Sequence, residues 1–420
     1  MNNLFQEVKQ ICLNSRKSSY EIAVLGKEKK NKLLIDAAEN IYKRKREILE
    51  ANLKDLKQSK KKKLANSLLD RLLLDNERIE AMCNGILEIS KLNDPVGEVI
   101  SKWSRPNGLK IEKVSVPLGV IGVIYESRPN VAADASALCL KSGNSVILRG
   151  GSESFNSSNA IINAIKDSYQ KNGLSADALQ TLPTVSRDAV GYLLKMSEFI
   201  DVIIPRGGRS LIQRVEKESK IPVFRHLDGI CHTYIHKSGD IKIAHDVLVN
   251  AKMRRPGICG ATETLLIDKE ILKTHLPKII KKLKKLNCEI RGDKEILKMD
   301  DSIKKAFSKD WKTEYLDAII SIKTIKDGVD EAVTHINTFG SGHTDSIISE
   351  DKKVTDYFLN NIDSGIVMHN TSTQFADGGE FGMGAEIGIS TSKLHARGPV
   401  GVSQLTSFKY KVRGNGQIRP

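Results

Sequence analysis

The sequence lacks any run approaching the roughly 18 consecutive apolar residues that a membrane span needs, which excludes a helical membrane protein. Its start, Met1-Asn2-Asn3-Leu4-Phe5, lacks the charged and apolar regions of a secretory leader. The six cysteines (Cys12, Cys83, Cys139, Cys231, Cys259 and Cys288) follow no framework spacing. A disulfide scaffold is therefore not expected, and a reduced, cytoplasmic protein is. No HExxH, paired CxxC or clustered carboxylate spacing is present, so no metal is expected. The dinucleotide signature GxGxxG is missing too: Gly119-Val120-Ile121-Gly122 stands at the start of a strand-like run, not after one.

Aromatic residues make up only 5% of the chain, against a net charge of +15. A positive field of that size raises the question of nucleic acid. The excess, however, sits largely in Lys54 to Lys63 and Lys278 to Lys285, where Leu or Ile lies close by and no aromatic is interleaved for base stacking. Solvated helix faces are the simpler reading, with on-rate for anionic ligands a further benefit. The expectation is no nucleic acid and no membrane; steeply salt-dependent DNA retention would reverse it.

The 420 residues suffice for two or three domains. Residues 1 to about 95 read as helices, with Leu34, Ala38, Ile41, Ile48, Leu49 and Leu53 at helical spacing. Residues 100–116 alternate around Pro106-Asn107-Gly108 as a hairpin, and Leu405 to Val412 is a strand that could pair with it, within the chain or across a subunit boundary. Between them strands and helices alternate: Val120 to Tyr125, Ser145 to Leu148, Leu182 to Val185, Val202 to Ile204 and Ile221 to Phe224 read as strands. Short apolar strands with helical crossings argue an α/β fold with a doubly wound parallel sheet.

Two crossings carry Arg-Gly-Gly: Arg149-Gly150-Gly151, and Arg206-Gly207-Gly208 followed by Ser210. A cation, glycines and a helix start at a strand's end make an anion site. Either turn alone reads as a tight turn; the pair in one sheet favours a dinucleotide.

The organising stretch is Arg254-Arg255-Pro256-Gly257-Ile258-Cys259-Gly260. An apolar helix enters it, and the strand Thr264 to Ile267 leaves it. Cys259 thus stands on a Pro/Gly turn between buried elements, where backbone N–H groups can approach whatever is bonded to sulfur. Two arginines upstream favour thiolate, the nucleophilic form. A soft nucleophile beside oxyanion donors suits acyl transfer through a thioester. A buried structural cysteine accounts for the segment alone equally well. Cys231-His232 is the rival, but neighbours on a strand point to opposite faces. His335 and His343 flank a glycine turn, as substrate contacts or as packed histidines.

Four blocks in order, Val116 to Val131, Arg254 to Thr264, Ala332 to Asp345 and Phe375 to Gly398, resemble the aldehyde dehydrogenase superfamily. The resemblance runs from about residue 10 to the C-terminus, and the match is to the branch that reduces an acyl phosphate in proline biosynthesis. It implies a cofactor domain of residues 1–99 and 117–229, a catalytic domain of 230–398, and a β oligomerisation arm of 100–116 and 399–420. It further implies NADPH as cofactor, L-glutamyl 5-phosphate as substrate and a homo-oligomer, dimer or tetramer; association with a glutamate kinase stays open.

By the same resemblance Cys259 is the catalytic thiol, and Arg149 lies near the adenosine ribose and its 2′-phosphate. Arg206 to Ser210 lie over the cofactor phosphates, and Glu314 anchors the nicotinamide ribose. Ser127 and Asn130 are oxyanion candidates. Arg255, His343, Asn370, Thr371, Ser372 and Gly384 are substrate candidates. The general base of hydrolytic relatives would fall near Leu227-Asp228-Gly229, where no Glu stands; that suits a thioester attacked by hydride rather than water. A hydrolytic dehydrogenase acting on another aldehyde is the alternative.

Overall fold

The computed structural model describes residues 3–64, 66–224 and 228–419. Close packing divides the chain into two units: Met1–Arg225 with Gly382–Gly388 and Pro399–Pro420, and His226–Phe381 with Ile389–Gly398.

The first unit opens with α1 (Asn3–Ile22), α2 (Lys27–Lys43), α3 (Lys45–Lys61), α4 (Asn66–Leu72) and α5 (Asn76–Lys91), then the hairpin β1 (Val99–Ser104) and β2 (Lys110–Pro117). Alternation follows as β3 (Val120–Tyr125), α6 (Val131–Lys141), β4 (Ser145–Gly150), α7 (Phe155–Lys171), β5 (Leu179–Thr181), α8 (Arg187–Leu193), β6 (Val202–Arg206) and α9 (Arg209–Glu218). The strands form one parallel sheet in the order β5-β4-β3-β6. Every residue of β3 is buried, as an unbroken apolar run requires of a strand covered on both faces.

Two strand expectations are corrected. The strand expected at 182–185 lies earlier, at Leu179–Thr181, because Pro183 has no N–H for a ladder. The one expected at 221–224 shrinks to a single bridge, Ile203 to Val223, beside Pro222.

The second unit contains β7 (Cys231–Ile235), α10 (Ile241–Met253), β8 (Thr262–Asp268), α11 (Leu272–Lys285), β9 (Glu289–Gly292), β10 (Lys304–Lys305), β11 (Ile319–Ile325), α12 (Val329–Phe339), β12 (Thr344–Ile348), α13 (Lys352–Asn361), β13 (Ile366–His369) and the short β14 (Ile389–Ser390); the chain passes back to the first unit within β15 (Gly398–Pro399). Its parallel sheet runs β10-β9-β11-β8-β7-β12-β13. The central strands β7 and β8 are buried throughout, so a loop leading into β8 starts from a rigid base. On α11 Leu272, Leu276, Ile279, Ile280 and Leu283 face the core, while Lys278, Lys281, Lys284 and Lys285 are exposed.

The last strand, β16 (Thr406–Arg413), returns to the first unit and pairs antiparallel with β2, from Thr406 opposite Pro117 to Arg413 opposite Lys110. The partner anticipated for the hairpin is thus found within the same chain. Trp103, Phe408, Tyr410 and Val412 remain exposed on this three-stranded arm. Among the described residues no helix is long and apolar enough to cross a membrane.

Candidate active site

The thiol loop lies in the second unit. Pro256 cannot donate a helical hydrogen bond, so α10 gives way to a turn, closed by the Ala261 N–H donating to the Ile258 carbonyl at 3.0 Å. Cys259 is half-buried, packed beside Ile366, Met368, Ala376 and Ile389. The other five cysteines are buried. Burial pushes the thiols of Cys12, Cys83 and Cys288 up to about 12, 11 and 11, and those of Cys139 and Cys231 upward as well. Five thiols are thereby poor nucleophiles at neutral pH, and Cys259 is the one that solvent can reach.

Backbone packs tightly against the main chain of Cys259. A Cβ on Gly229 would lie 2.1 Å from the Cys259 carbonyl oxygen and 2.6 Å from its Cα, so only glycine fits. The Gly229 N–H donates to Glu314 Oε1 at 2.9 Å, and the Cys231 thiol donates to the Cys259 carbonyl at 3.1 Å. On the other side, a Cβ on Gly260 would meet the Thr373 carbonyl at 3.2 Å. Hydroxyls of Thr233, Thr262 and Thr373 link these elements at 2.7 and 3.0 Å.

The block Ser341 to Asp345 acts as a clamp on this backing strand. Ser341 Oγ accepts from the Ile230 N–H at 2.9 Å. The His343 ring lies 3.5 Å from the Cys231 sulfur, and Asp345 accepts from the His232 N–H at 2.9 Å and meets its ring Nδ1 at 2.9 Å. His343 is fully buried; the structure places it behind Cys259, against Cys231.

His335, on α12, is enclosed by Phe339, His232 and Trp311 at ring-centroid distances of 4.6, 5.6 and 5.7 Å. Burial, then the neighbouring His232, pushes its imidazole down from 6.5 to about 3. Its folded value lies below its unfolded one. The stability it contributes is therefore complete above about pH 6.5 and is lost as pH falls towards 3. His335→Phe is expected to flatten the acid limb of unfolding free energy against pH between 6.5 and 4, by up to ~1.4 kcal/mol per pH unit. Urea titrations at stepped pH check this; an unchanged slope would count against a neutral buried His335.

The remaining substrate candidates are placed as follows. Arg255 is exposed at the start of the thiol loop. Asn370 (φ +49°) accepts from the Ser349 N–H at 3.0 Å and donates to Glu350 at 3.0 Å, so its amide ties down the turn after β12. The Thr371 carbonyl accepts from Ser346 at 2.8 Å. Ser372 is buried and caps the turn at Gln374. Gly384 belongs to the first unit and is packed on Leu92 with φ +77°. Of the region expected to lack a general base, Leu227 lies outside the described residues. Lys252, Glu263 and the role of Gly229 went unrecognised in the sequence; the available signal for the pair was an opposite charge on each side of the thiol loop.

In the first unit the register sets Tyr125 opposite both Gly150 and Arg206, so the carboxyl ends of β4, β3 and β6 lie side by side. Arg149 donates from Nη2 to the Val185 carbonyl at 2.8 Å. The Nε atoms of Arg149 and Arg206 are both buried without a partner. Gly208 caps α9 without a side chain, and Ser210 is exposed in the first turn. Two carboxylates that sequence reasoning missed stand here. Glu126 accepts from the Gly208 N–H at 2.9 Å, and a Cβ on Gly207 would lie 2.6 Å from it. Glu153 accepts from both the N–H and the hydroxyl of Ser127 at 2.6 and 3.0 Å, and a Cβ on Gly151 would collide with it at 2.1 Å. Gly150 packs on Tyr125 and Ser158. Asn130 is exposed and donates to Asp134 at 3.0 Å. Guanidinium nitrogens without a partner, glycine turns at the strand ends and carboxylates that can accept from ribose hydroxyls fit a nicotinamide dinucleotide.

A doubly wound parallel sheet with Arg-Gly-Gly turns at its strand ends, together with a second sheet presenting one accessible thiol, defines an aldehyde-dehydrogenase-type oxidoreductase. Residues 6–297 match the model of the aldehyde dehydrogenase family. A γ-glutamyl phosphate reductase of Paramagnetospirillum magneticum is 56% identical over 97% of this chain and 96% of its own. The crystal structure of γ-glutamyl phosphate reductase from Thermotoga maritima superimposes with a TM-score of 0.95 at 40% identity, covering 99% of this chain and 100% of that one. A glyceraldehyde-3-phosphate dehydrogenase of Methanocaldococcus jannaschii, solved with NADP, shares the fold at TM-score 0.69 and 17% identity, over 98% and 95% of the two chains. The chain belongs to the aldehyde dehydrogenase family and, within it, to the γ-glutamyl phosphate reductases.

Proposed function

We propose that this chain reduces L-glutamyl 5-phosphate to glutamate 5-semialdehyde, the second step of proline biosynthesis, through a thioester on Cys259 with NADPH as donor. The observation that carries the reading is the single accessible thiol, held on a backbone-packed turn while five others are buried. The Cys259 sulfur attacks the γ-carbonyl carbon, the Cys259 N–H and a second donor hold the oxyanion, and phosphate leaves. Bound NADPH supplies hydride for the thioester carbonyl. The Cys259 thiolate is then the leaving group, and the aldehyde departs. A sulfur serves here because it both attacks well and leaves well.

Arg149 and Arg206, with Gly150, Gly151, Gly207, Gly208 and Ser210, are the residues that would hold the cofactor's phosphates; the two unpartnered guanidinium nitrogens support a 2′-phosphate and so NADPH over NADH. Glu314 would hold the nicotinamide ribose. Residues 1–99 and 117–229 serve the cofactor and 230–398 the chemistry. The arm, 100–116 with 399–420, builds a dimer or tetramer, an assignment supported by its exposed Trp103, Phe408 and Tyr410. Six free thiols suit a cytoplasmic setting. The lability of an acyl phosphate favours delivery by a glutamate kinase.

The test is the reverse reaction: protein, NADP⁺ and glutamate semialdehyde, followed at the NADPH absorbance with and without phosphate. Turnover only with phosphate is expected. Turnover without it would mean that water opens the thioester, and the hydrolytic alternative would replace this reading.

A further inference from the structure

Lys252 stands in the last turn of α10 just before the thiol loop, and Glu263 is the second residue of β8 just after it. Their side chains meet at 2.6 Å, and neither has any solvent exposure. The contact closes the base of the loop that carries Cys259. The second oxygen of Glu263 accepts from the Leu316 N–H at 3.3 Å, where Leu316 is held in the left-handed region at φ +51°. Two positions before Leu316 stands Glu314, whose carboxylate accepts from Gly229 at 2.9 Å. Gly229 in turn lies against the Cys259 backbone. The contacts form a ring: thiol loop, Lys252, Glu263, the 314–316 segment, Gly229, and back to the thiol loop.

We infer that Lys252 and Glu263 are positioning residues that hold the Cys259 loop and the Glu314 segment in one fixed register. The inference rests on Cys259 being the nucleophile. A buried ion pair is a weak source of net stability, because the desolvation of two charges offsets their attraction, and well-packed apolar residues often replace such pairs without loss. What such a pair supplies is direction: a carboxylate with two partners at set angles joins two segments that apolar packing would leave free to slide. Nucleophilic attack and hydride transfer require the same carbonyl carbon to be presented twice, and displacements of about 1 Å can cost ~10²-fold in rate.

The variants are chosen so that charge is not stranded. Burial already raises the Glu263 carboxyl to about 7 despite the ammonium beside it, so Lys252→Met leaves a group that neutralises itself by protonation. Lys252→Met/Glu263→Gln removes both charges and keeps an amide oxygen for Leu316. Three quantities are measured on each: kcat and KM in the phosphate-dependent reverse reaction, the alkylation rate of Cys259 by iodoacetamide, and the thermal midpoint. For the double variant, kcat per folded molecule is expected to fall ~30- to 100-fold. KM for the semialdehyde should stay within about threefold, and the alkylation rate should shift several-fold.

A folded double variant with kcat within about twofold of the parent and an unchanged alkylation rate would overturn the inference. So would a loss of activity that only follows the unfolded fraction, which is the signature of a purely structural pair. Should the double variant not fold, the same measurements on Lys252→Met decide. Cys259→Ala runs alongside: turnover in that variant would instead remove the assignment of the nucleophile.

Discussion

Cys259→Ala is expected to lose reductase turnover by ~10⁴-fold or more, with a thermal midpoint within a few degrees of the parent. Both halves follow from where the sulfur lies. It is half-buried at the edge of a small cluster with Ile366, Met368, Ala376 and Ile389, so its removal leaves no sealed cavity, and the cost in folding stays small. Chemically nothing else can substitute. Cys231 is close, but it is fully buried, its thiol is pushed well above the ordinary range by burial, and it is committed to the Cys259 carbonyl at 3.1 Å. The phosphate-dependent reverse assay measures the loss, and trapping of a labelled acyl group on protein distinguishes a missing thioester from a slow later step. Near-parental turnover would end the assignment. Cys231→Ala makes the contrast: it should keep most of the activity, since it removes one hydrogen bond to a carbonyl and no reacting atom.

Gly229→Ala is expected to lower kcat by at least ~10²-fold, with a loss of stability of ~1–3 kcal/mol. The added methyl would sit 2.1, 2.6 and 2.7 Å from the carbonyl oxygen, Cα and carbonyl carbon of Cys259. These are backbone atoms with no rotamer to escape into, so either the strand entering β7 or the thiol loop must move. The same shift would pull the Gly229 N–H from Glu314. Gly257→Ala, two positions before the thiol, provides the control, because its methyl would find no heavy atom nearer than the Leu316 carbonyl at 3.6 Å. Steady-state kinetics and thermal midpoints on the two variants separate a general intolerance of the loop from the specific collision. Equal effects at both positions would contradict the packing described here.

Much of the local structure could be read from residues alone. β3 begins and ends where its apolar run does, because a strand buried on both faces leaves no polar residue inside it, and α6 follows the Ala- and Leu-rich run from Val131 to Lys141. The Pro/Gly turn at Cys259 announces itself in the same way, since Pro256 forbids helix and Gly260 permits the close approach of Thr373. The Lys-rich stretch of α11 resolves into a solvated face because the intervening apolar residues keep helical spacing, whereas the lysines of α3 lie opposite the buried polar residues Asn52, Asp55 and Ser59. Where local signals conflict, the strand and the apolar run part company. Pro183 and Pro222 stand inside apolar runs, and in each case the missing N–H moved or abolished the strand.

The sequence by itself determined the alternation of elements, the residue types available for an anion site, and the one cysteine on a turn. Only the tertiary structure decided how Cys259 is held. Gly229 is set against it by the pairing of β7 with β8, shifted by the irregularity at Cys231 and His232. His343 reads from the sequence as a substrate contact or a packed histidine; in three dimensions it lies against Cys231, while Ser341 and Asp345 hold Ile230 and His232. Lys252 and Glu263 look like ordinary charges until burial forces them together. The physical reason is common to all three. Periodicity and turn chemistry act over a few residues, whereas strand register and the pairing of buried charges join positions 11 to 111 residues apart, and no local pattern encodes which partner will be met.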